Sequence, residues 1–269
     1  MSVAGVAAPA CFTAQRRLQR SLKIPVFGDE EHGTAIVVLA ALRTALSVVG
    51  KNLPTARIVI IGTGPAAAAT ARLLARTDAT DLVIVGQSGV LDAEDETLPA
   101  YQRGVASMTN PRRVRGGLTD ALSGADAVIG LSPQVPMTRP LVASMAAAPI
   151  VFALADREPE LRLELLDGVA AVVATGRPDY PNQLVSALAY PGVLRGALDS
   201  EASRITPDMH LAAADALAGL IAARASATRL LPDLLDPAVV PTIAAAVAAA
   251  APTRHVGVTT RHAPHGTVQ

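Results

Sequence analysis

The sequence predicts an α/β fold: a doubly wound parallel sheet, Rossmann-like, with N-terminal and C-terminal helices packed against it. Three observations predict it. Short β-branched runs alternate with longer helical segments along the 269 residues, the pattern of successive βαβ units. Residues 57–61 (RIVII) form a mostly apolar run bounded by turn residues, as a strand buried on both faces should be. That run leads into a glycine-rich turn and then a helix, Gly62-Thr63-Gly64-Pro65-Ala66-Ala67.

The elements follow in order. Residues 34–49 are apolar nearly all round and read as a buried helix, stopped by Gly50 and Asn52. Residues 65–76 are helical, with Pro65 in the tolerated first turn. Residues 82–85, 127–131, 150–154 and 170–174 read as further strands, with helical segments at 118–122, 140–147 and 160–166. Two longer helices follow, at 207–226 and 237–250, the second with Asp236 as N-cap and Pro237 at its first position. This makes one domain over residues 1–251 and a flexible, polar tail over 252–269. His255, His262 and His265 of that tail read as solvated rather than as metal ligands. Residues 91–115 have weak periodicity and read as an excursion over the ligand edge of the sheet. Their Arg112, Arg113 and Arg115 read as a solvated charge cluster, with a phosphate contact as the alternative.

Composition excludes several classes. The 23 basic and 23 acidic side chains cancel, which argues against a polyanion binder. Aromatics are 2% of the chain and Trp is absent, so the stacking platforms of single-strand binders are missing. Nucleic acid is therefore not an expected partner. Cys11 is the only cysteine, which leaves no intrachain disulfide and no cysteine-based metal cluster. No stretch reaches the roughly 18 apolar residues of a membrane helix, and residues 1–10 lack the basic and apolar regions of a signal peptide. The expectation is a cytoplasmic protein with no membrane partner.

The turn at 62–67 fits G-x-G-x-x-A. Gly62 permits the tight turn, Gly64 the approach of a pyrophosphate, and Ala67 close helix–strand packing. The amides and dipole of the following helix then face the phosphates. Gly62, Thr63, Gly64, Pro65, Ala66 and Ala67 are thus the expected cofactor contacts. The second strand should end in an acidic residue that holds the ribose hydroxyls of NAD. Here it runs Val85-Gly86-Gln87-Ser88, so the choice between NAD and NADP stays open. Ser88 can donate to either, and Ser132, just past the strand at 127–131, falls on the same edge.

The segment from Pro25 to Ala35 (PVFGDEEHGTA) resembles the PVFHDDQHGTA run of bacterial malic enzymes. The resemblance continues collinearly through the glycine turn, Phe152-Ala153-Leu154-Ala155, residues 174–183 (ATGRPDYPNQ), Tyr190-Pro191-Gly192 and Arg195-Gly196-Ala197-Leu198-Asp199, to about residue 251. It implies the NAD(P)-binding domain of that family, whose members oxidise malate at C2 with a nicotinamide cofactor and a divalent metal. Thr34 and Asp156 are carried over with it as cofactor contacts and Asn182 as a substrate contact. His32 and the phenols Tyr180 and Tyr190 are read as packing residues.

The departures are as informative. The family's catalytic tyrosine and lysine belong to an N-terminal domain absent from this chain. Its metal-binding Glu-Asp pair falls on Ala4 and Gly5, counted back from Ala8-Pro9-Ala10-Cys11-Phe12, and Glu30 replaces its third carboxylate. One displaced carboxylate is a poor site for Mg²⁺, so no metal is expected. The family's asparagine pair reads Val185-Ser186. What remains is an acidic-imidazole cluster, Asp29, Glu30, Glu31 and His32, with Asp29 and Glu30 as the catalytic candidates, able to carry a proton or simply to cap the helix that follows. Arg157 and Arg177 can meet an anionic substrate. The expected function is a metal-independent NAD(P)-dependent oxidoreductase acting on a small hydroxy, oxo or imino substrate, and not malate decarboxylation. The alternative is a catalytically inactive binding or regulatory protein on the same fold. A homodimer is expected, because the face that the absent domain would cover should be partly apolar.

Overall fold

The computed structural model describes residues 1–252 except Ala4, Ala7, Ala8, Asp156, Arg157 and Glu158. The tail from residue 253, with its three histidines, and the expected site residues Asp156 and Arg157 therefore lie outside the described residues. Strands β1 (Ser2–Val3) and β2 (Phe27–Gly28) pair in parallel. The main sheet holds β3 (Arg57–Ile61), β4 (Asp81–Gly86), β5 (Gly89–Val90), β6 (Ala127–Gly130), β7 (Ile150–Ala153) and β8 (Val172–Thr175). Its order is β5-β4-β3-β6-β7-β8, parallel except for the short edge strand β5. From β3 the chain passes to β4 on one side and later returns to β6 on the other. The carboxyl ends of β3 and β6 thus flank the switch point where such sheets take their ligands.

Alternation along the strands divides the core. Ile58, Ile60, Leu82, Ile84, Ile150 and Phe152 face one layer, and Val59, Ile61, Val83, Val85, Val128 and Val151 face the other. The first layer is built by α1 (Ala10–Ser21), α2 (Thr34–Val48), α3 (Pro65–Leu74), α4 (Ala100–Ala106), α7 (Tyr190–Asp199), α8 (Pro207–Gly219) and α9 (Val239–Ala249). The second contains α5 (Leu118–Leu122) and α6 (Arg139–Ala143).

The expected strands stand within two residues of their places, and α2, α3 and α5 match. Five readings are corrected. The helix expected at 140–147 ends at Ala143. Residues 160–166 hold only a 3₁₀ turn at Leu163–Leu166, because Glu160 is drawn inward to cap loops of the sheet. The helix expected at 207–226 ends at Gly219. Helix α9 begins at Val239, and Asp236 closes the turn ahead of it by accepting the Ala238 N–H at 2.9 Å. Helix α4 lies inside the segment read as an irregular excursion. A π-helical turn at Asp29–Gly33 runs directly into α2, so residues Asp29–Val48 form one helical run that is long and apolar enough, by length and composition, to cross a membrane. It is mostly buried, as the central helix of a layered α/β core must be.

Candidate functional site

The glycine turn occupies the end of β3. Gly62 has φ +118°, and a Cβ there would stand 3.0 Å from Ser132 Cβ and 3.2 Å from the Leu131 carbonyl. Only glycine meets both conditions. The Gly62 N–H donates to the Val85 carbonyl at 2.9 Å and the Leu131 N–H to that of Ile61 at 2.8 Å, so the three strand ends are pinned together. Gly64 is the N-cap of α3, Pro65 its first residue, and no side chain caps the first amides. A Cβ on Gly64 would meet nothing within 4 Å, so the space over the turn is open. Unfilled amides, a helix N-terminus and an open approach together suit a pyrophosphate. A cavity of about 220 Å³, lined by Gly62, Thr63, Gln87, Ser88 and Ser132 among others, continues from the turn. These residues fit a dinucleotide. Ala67 is buried behind them, where its small size lets α3 lie close to the sheet.

Ser132 has a second connection, one that sequence inspection missed. Its N–H donates to Glu160 Oε1 at 3.0 Å, and the Ala155 N–H donates to Oε2 at 3.4 Å. The Glu160 carboxylate, only 4% exposed, thus joins the loops after β6 and β7. Burial raises its pKa and the backbone donors oppose that rise. The Ser132 hydroxyl accepts the Gln134 N–H at 3.3 Å, so this serine both shapes its own turn and lines the cavity.

The acidic segment lies beside the same helix N-terminus. A crevice of about 30 Å³ brings together Gly28, Glu30, Glu31 and Pro65 with Cys11 and Gln15 of α1. Asp29 Oδ1 is buried without a hydrogen-bond partner among the described residues, and burial raises the carboxyl's pKa while the nearby Ser186 hydroxyl opposes the shift. Gly33 makes this approach feasible, since a Cβ there would stand 2.8 Å from Asp29 Oδ1 and 2.9 Å from Ser186 Cβ. Glu31, next in the acidic cluster, is 8% exposed. Burial pushes it up to about 7 against the opposing fields of Arg72 and Arg16. His32 is lowered to about 4, by burial and then by Arg72, and packs 4.8 Å from the buried ring of His210 and 6.1 Å from Phe27. Its Nδ1 lies 3.3 Å from Gln15 Nε2. The packing role expected of His32 agrees with this setting, as it does for Tyr190, 6.0 Å from Phe27.

The other expected contacts divide. Thr34 opens α2 directly after the π turn. The Arg177 guanidinium is forked onto Asp179 through Nε, at 2.9 Å, and Nη2, and lies over the Tyr180 ring at 5.2 Å. Tyr180 itself donates to Glu164. Asn182 is corrected from a substrate contact to a brace. Its Nδ2 donates to the carbonyls of Val173 at 2.9 Å and Ala227 at 2.7 Å, and its Oδ1 accepts the Leu230 N–H at 2.9 Å. Neither amide proton is left for a ligand.

The donor set does not fit a divalent cation, which requires several converging oxygens. Pairing of β1 with β2 carries Gly5 to Glu30, and the Gly5 N–H donates to Glu30 Oε1 at 3.2 Å. A backbone donor therefore faces the one acidic residue retained at the resembling metal positions, and Ala4 and Gly5 offer no carboxylate. Among the described residues, no group of three His, Cys, Asp or Glu side chains is placed to hold a metal.

Comparison with known proteins agrees with this fold. The family model described as malic enzyme, NAD binding domain, matches residues 32–252. The chain is 38% identical over 247 residues to an NAD-dependent malic enzyme of Geobacillus stearothermophilus, covering 91% of this chain and 52% of that protein. It is 40% identical over 249 residues to a bifunctional malic/malolactic enzyme of Bacillus subtilis, covering 91% and 61%. It therefore spans about half to three-fifths of the length of these relatives. The crystal structure of the NAD-dependent malic enzyme of Thermotoga maritima superposes with a TM-score of 0.87 at 35% identity, over 92% of this chain and 66% of that one. Fold, switch-point turn and sequence thus agree, and the chain belongs to the malic enzyme family, as its NAD-binding domain.

Proposed function

We propose that this chain binds NAD or NADP at the turn Gly62–Ala67 and moves hydride to or from a small hydroxy, oxo or imino substrate without a divalent cation, rather than decarboxylating malate. The observation that carries the proposal is the Gly5–Glu30 hydrogen bond at 3.2 Å. It engages the remaining acidic side chain at the resembling metal positions, while the open helix N-terminus one crevice away at Pro65 keeps its shape for phosphate.

The bound nicotinamide supplies the hydride acceptor or donor. The protein supplies the rest. The α3 amides orient the pyrophosphate, and Glu160 holds the Ser132 loop against the cleft. Asp29, whose pKa burial raises, accepts the proton from the substrate hydroxyl or amine on oxidation and returns it on reduction.

A second reading, a binding or regulatory protein without turnover, is favoured by one observation: the Arg177 fork and the Asn182 amide are both engaged within the protein. Titration with NADH and NADPH, read by nicotinamide fluorescence, tests the shared premise, and micromolar binding is expected. Incubation with malate, Mg²⁺ or Mn²⁺ and each nucleotide is expected to give no turnover. Malate oxidation at an ordinary enzymatic rate would overturn the proposal. Nucleotide binding without reaction on any hydroxy, oxo or imino acid would select the second reading.

A further inference from the structure

The loop after α4 carries three arginines, and the structure sorts them. Arg112 turns back onto β4, its Nε 2.6 Å from Asp81 Oδ2. Arg113 and Arg115 have no ion pair and no side-chain hydrogen bond among the described residues. Both line a cavity of about 610 Å³ whose wall includes Ser88 and Leu91. The same two residues line the smaller cavity that opens from the glycine turn, so the two spaces adjoin at the end of β4.

The loop is fixed in place. The Asn110 N–H donates to the Leu82 carbonyl at 2.5 Å, and the Val90 N–H donates to the Gly116 carbonyl at 2.9 Å. The Asn110 side chain clasps Val114, donating from Nδ2 to its carbonyl at 2.9 Å and accepting its N–H on Oδ1 at 2.7 Å. Within this clasp Arg113 takes φ +54°, a left-handed conformation unfavourable for a residue bearing a Cβ. The clasp holds the arginine there.

The end of β4 has the matching chemistry. A carboxylate there would accept the ribose hydroxyls and repel a 2′-phosphate, but the strand ends Gly86-Gln87-Ser88. Resting on the dinucleotide reading above, we propose that Arg113 and Arg115 form the seat of the adenosine 2′-phosphate, with Ser88 at its rim, and that the cleft selects NADP over NAD. The planar guanidinium fork suits a phosphate. Asp92 and Glu94 line the same cavity and are the groups that oppose an anion. Asp92 Oδ1 already accepts the Glu94 N–H at 3.0 Å, which closes them into their own turn.

The test is equilibrium titration of the full chain with NADPH and NADH, read by fluorescence, for wild type, Arg113→Ala, Arg115→Ala and the pair Asp92→Asn with Glu94→Gln. The expected result is NADPH binding about tenfold tighter than NADH, and about tenfold weaker NADPH binding in each arginine variant with NADH little changed. The preference should shrink as salt rises, and the acidic-pair variant should bind NADPH more tightly. NADH binding as tight as NADPH, or equal losses for both nucleotides in the arginine variants, would overturn the 2′-phosphate seat and leave the dinucleotide reading intact. Failure of both nucleotides to bind the wild type would overturn both.

Discussion

Glu160 Oε1 accepts the Ser132 N–H at 3.0 Å, across 28 residues of chain. The bond explains Gly130, because a Cβ at that position would stand 2.3 Å from the Glu160 carboxyl carbon. A glycine at the end of β6 makes room for a buried carboxylate, and the carboxylate fixes a serine at the mouth of the cofactor cleft.

Gly130→Ala should therefore displace the carboxylate and leave the Ser132 and Ala155 amides unpaired. Losing charged-acceptor bonds at a buried site costs about 2–4 kcal/mol. Urea unfolding should show that loss, together with weaker nucleotide binding. Wild-type stability in this variant would mean that Glu160 is not held as described.

The buried acid and histidines set opposing pH dependences. Glu31 stands at about 7 in the folded chain against 4.5 ordinarily. The folded state then keeps a proton that the unfolded state loses between those values, so stability falls as pH rises through that window. His32 at about 4 and His210 at about 3 act in reverse, and stability falls as pH drops below the ordinary histidine value of 6.5. The windows overlap, and two histidines outweigh one acid up to about 6.5, above which only the acid acts, so stability should be greatest near pH 6–7. Glu31→Gln should stabilise by about 2–3 kcal/mol at pH 8 and hardly at all at pH 4. An equal change at both pH values would show that its charge is not the cause.

Helices α7 and α9 meet through glycine. A Cβ on Gly196 would lie 2.4 Å from the Ala244 carbonyl oxygen and 2.7 Å from Val247 Cβ. The first is backbone, which cannot rotate aside. Gly196→Ala should cost about 2–3 kcal/mol by overpacking and leave nucleotide affinity unchanged. A Tm drop without a change in Kd is the expected pair of readings.

Leu198 of α7 and Val240 of α9, with Leu234 and Leu235 just ahead of α9, are large apolar side chains left exposed, Leu235 at 90%. Such surface favours association, and a homodimer is the proposed state. Light scattering at micromolar concentration should give twice the chain mass of 27.4 kDa. Leu235→Glu should shift it toward the monomer, and a monomeric wild type would refute the dimer.

The alternation of β-branched and helical runs specified the sheet, because burial on two faces leaves an apolar signature in each strand. The G-x-G-x-x-A turn was legible for a similar reason: its geometry excludes side chains, and that exclusion is written in residue type. Two irregularly patterned elements were not legible. Helix α4 and the π turn at Asp29–Gly33 show no full period, and tertiary packing holds them. The order of strands, which places Gly62 beside Ser132, was decided only by folding. So were the capture of Glu160 by two distant amides, the Gly5 donor to Glu30, and the engagement of Asn182 with three backbone groups. Each depends on partners far apart in the chain, and only a closed three-dimensional structure sets which charge is buried, which is paired and which is left for a ligand.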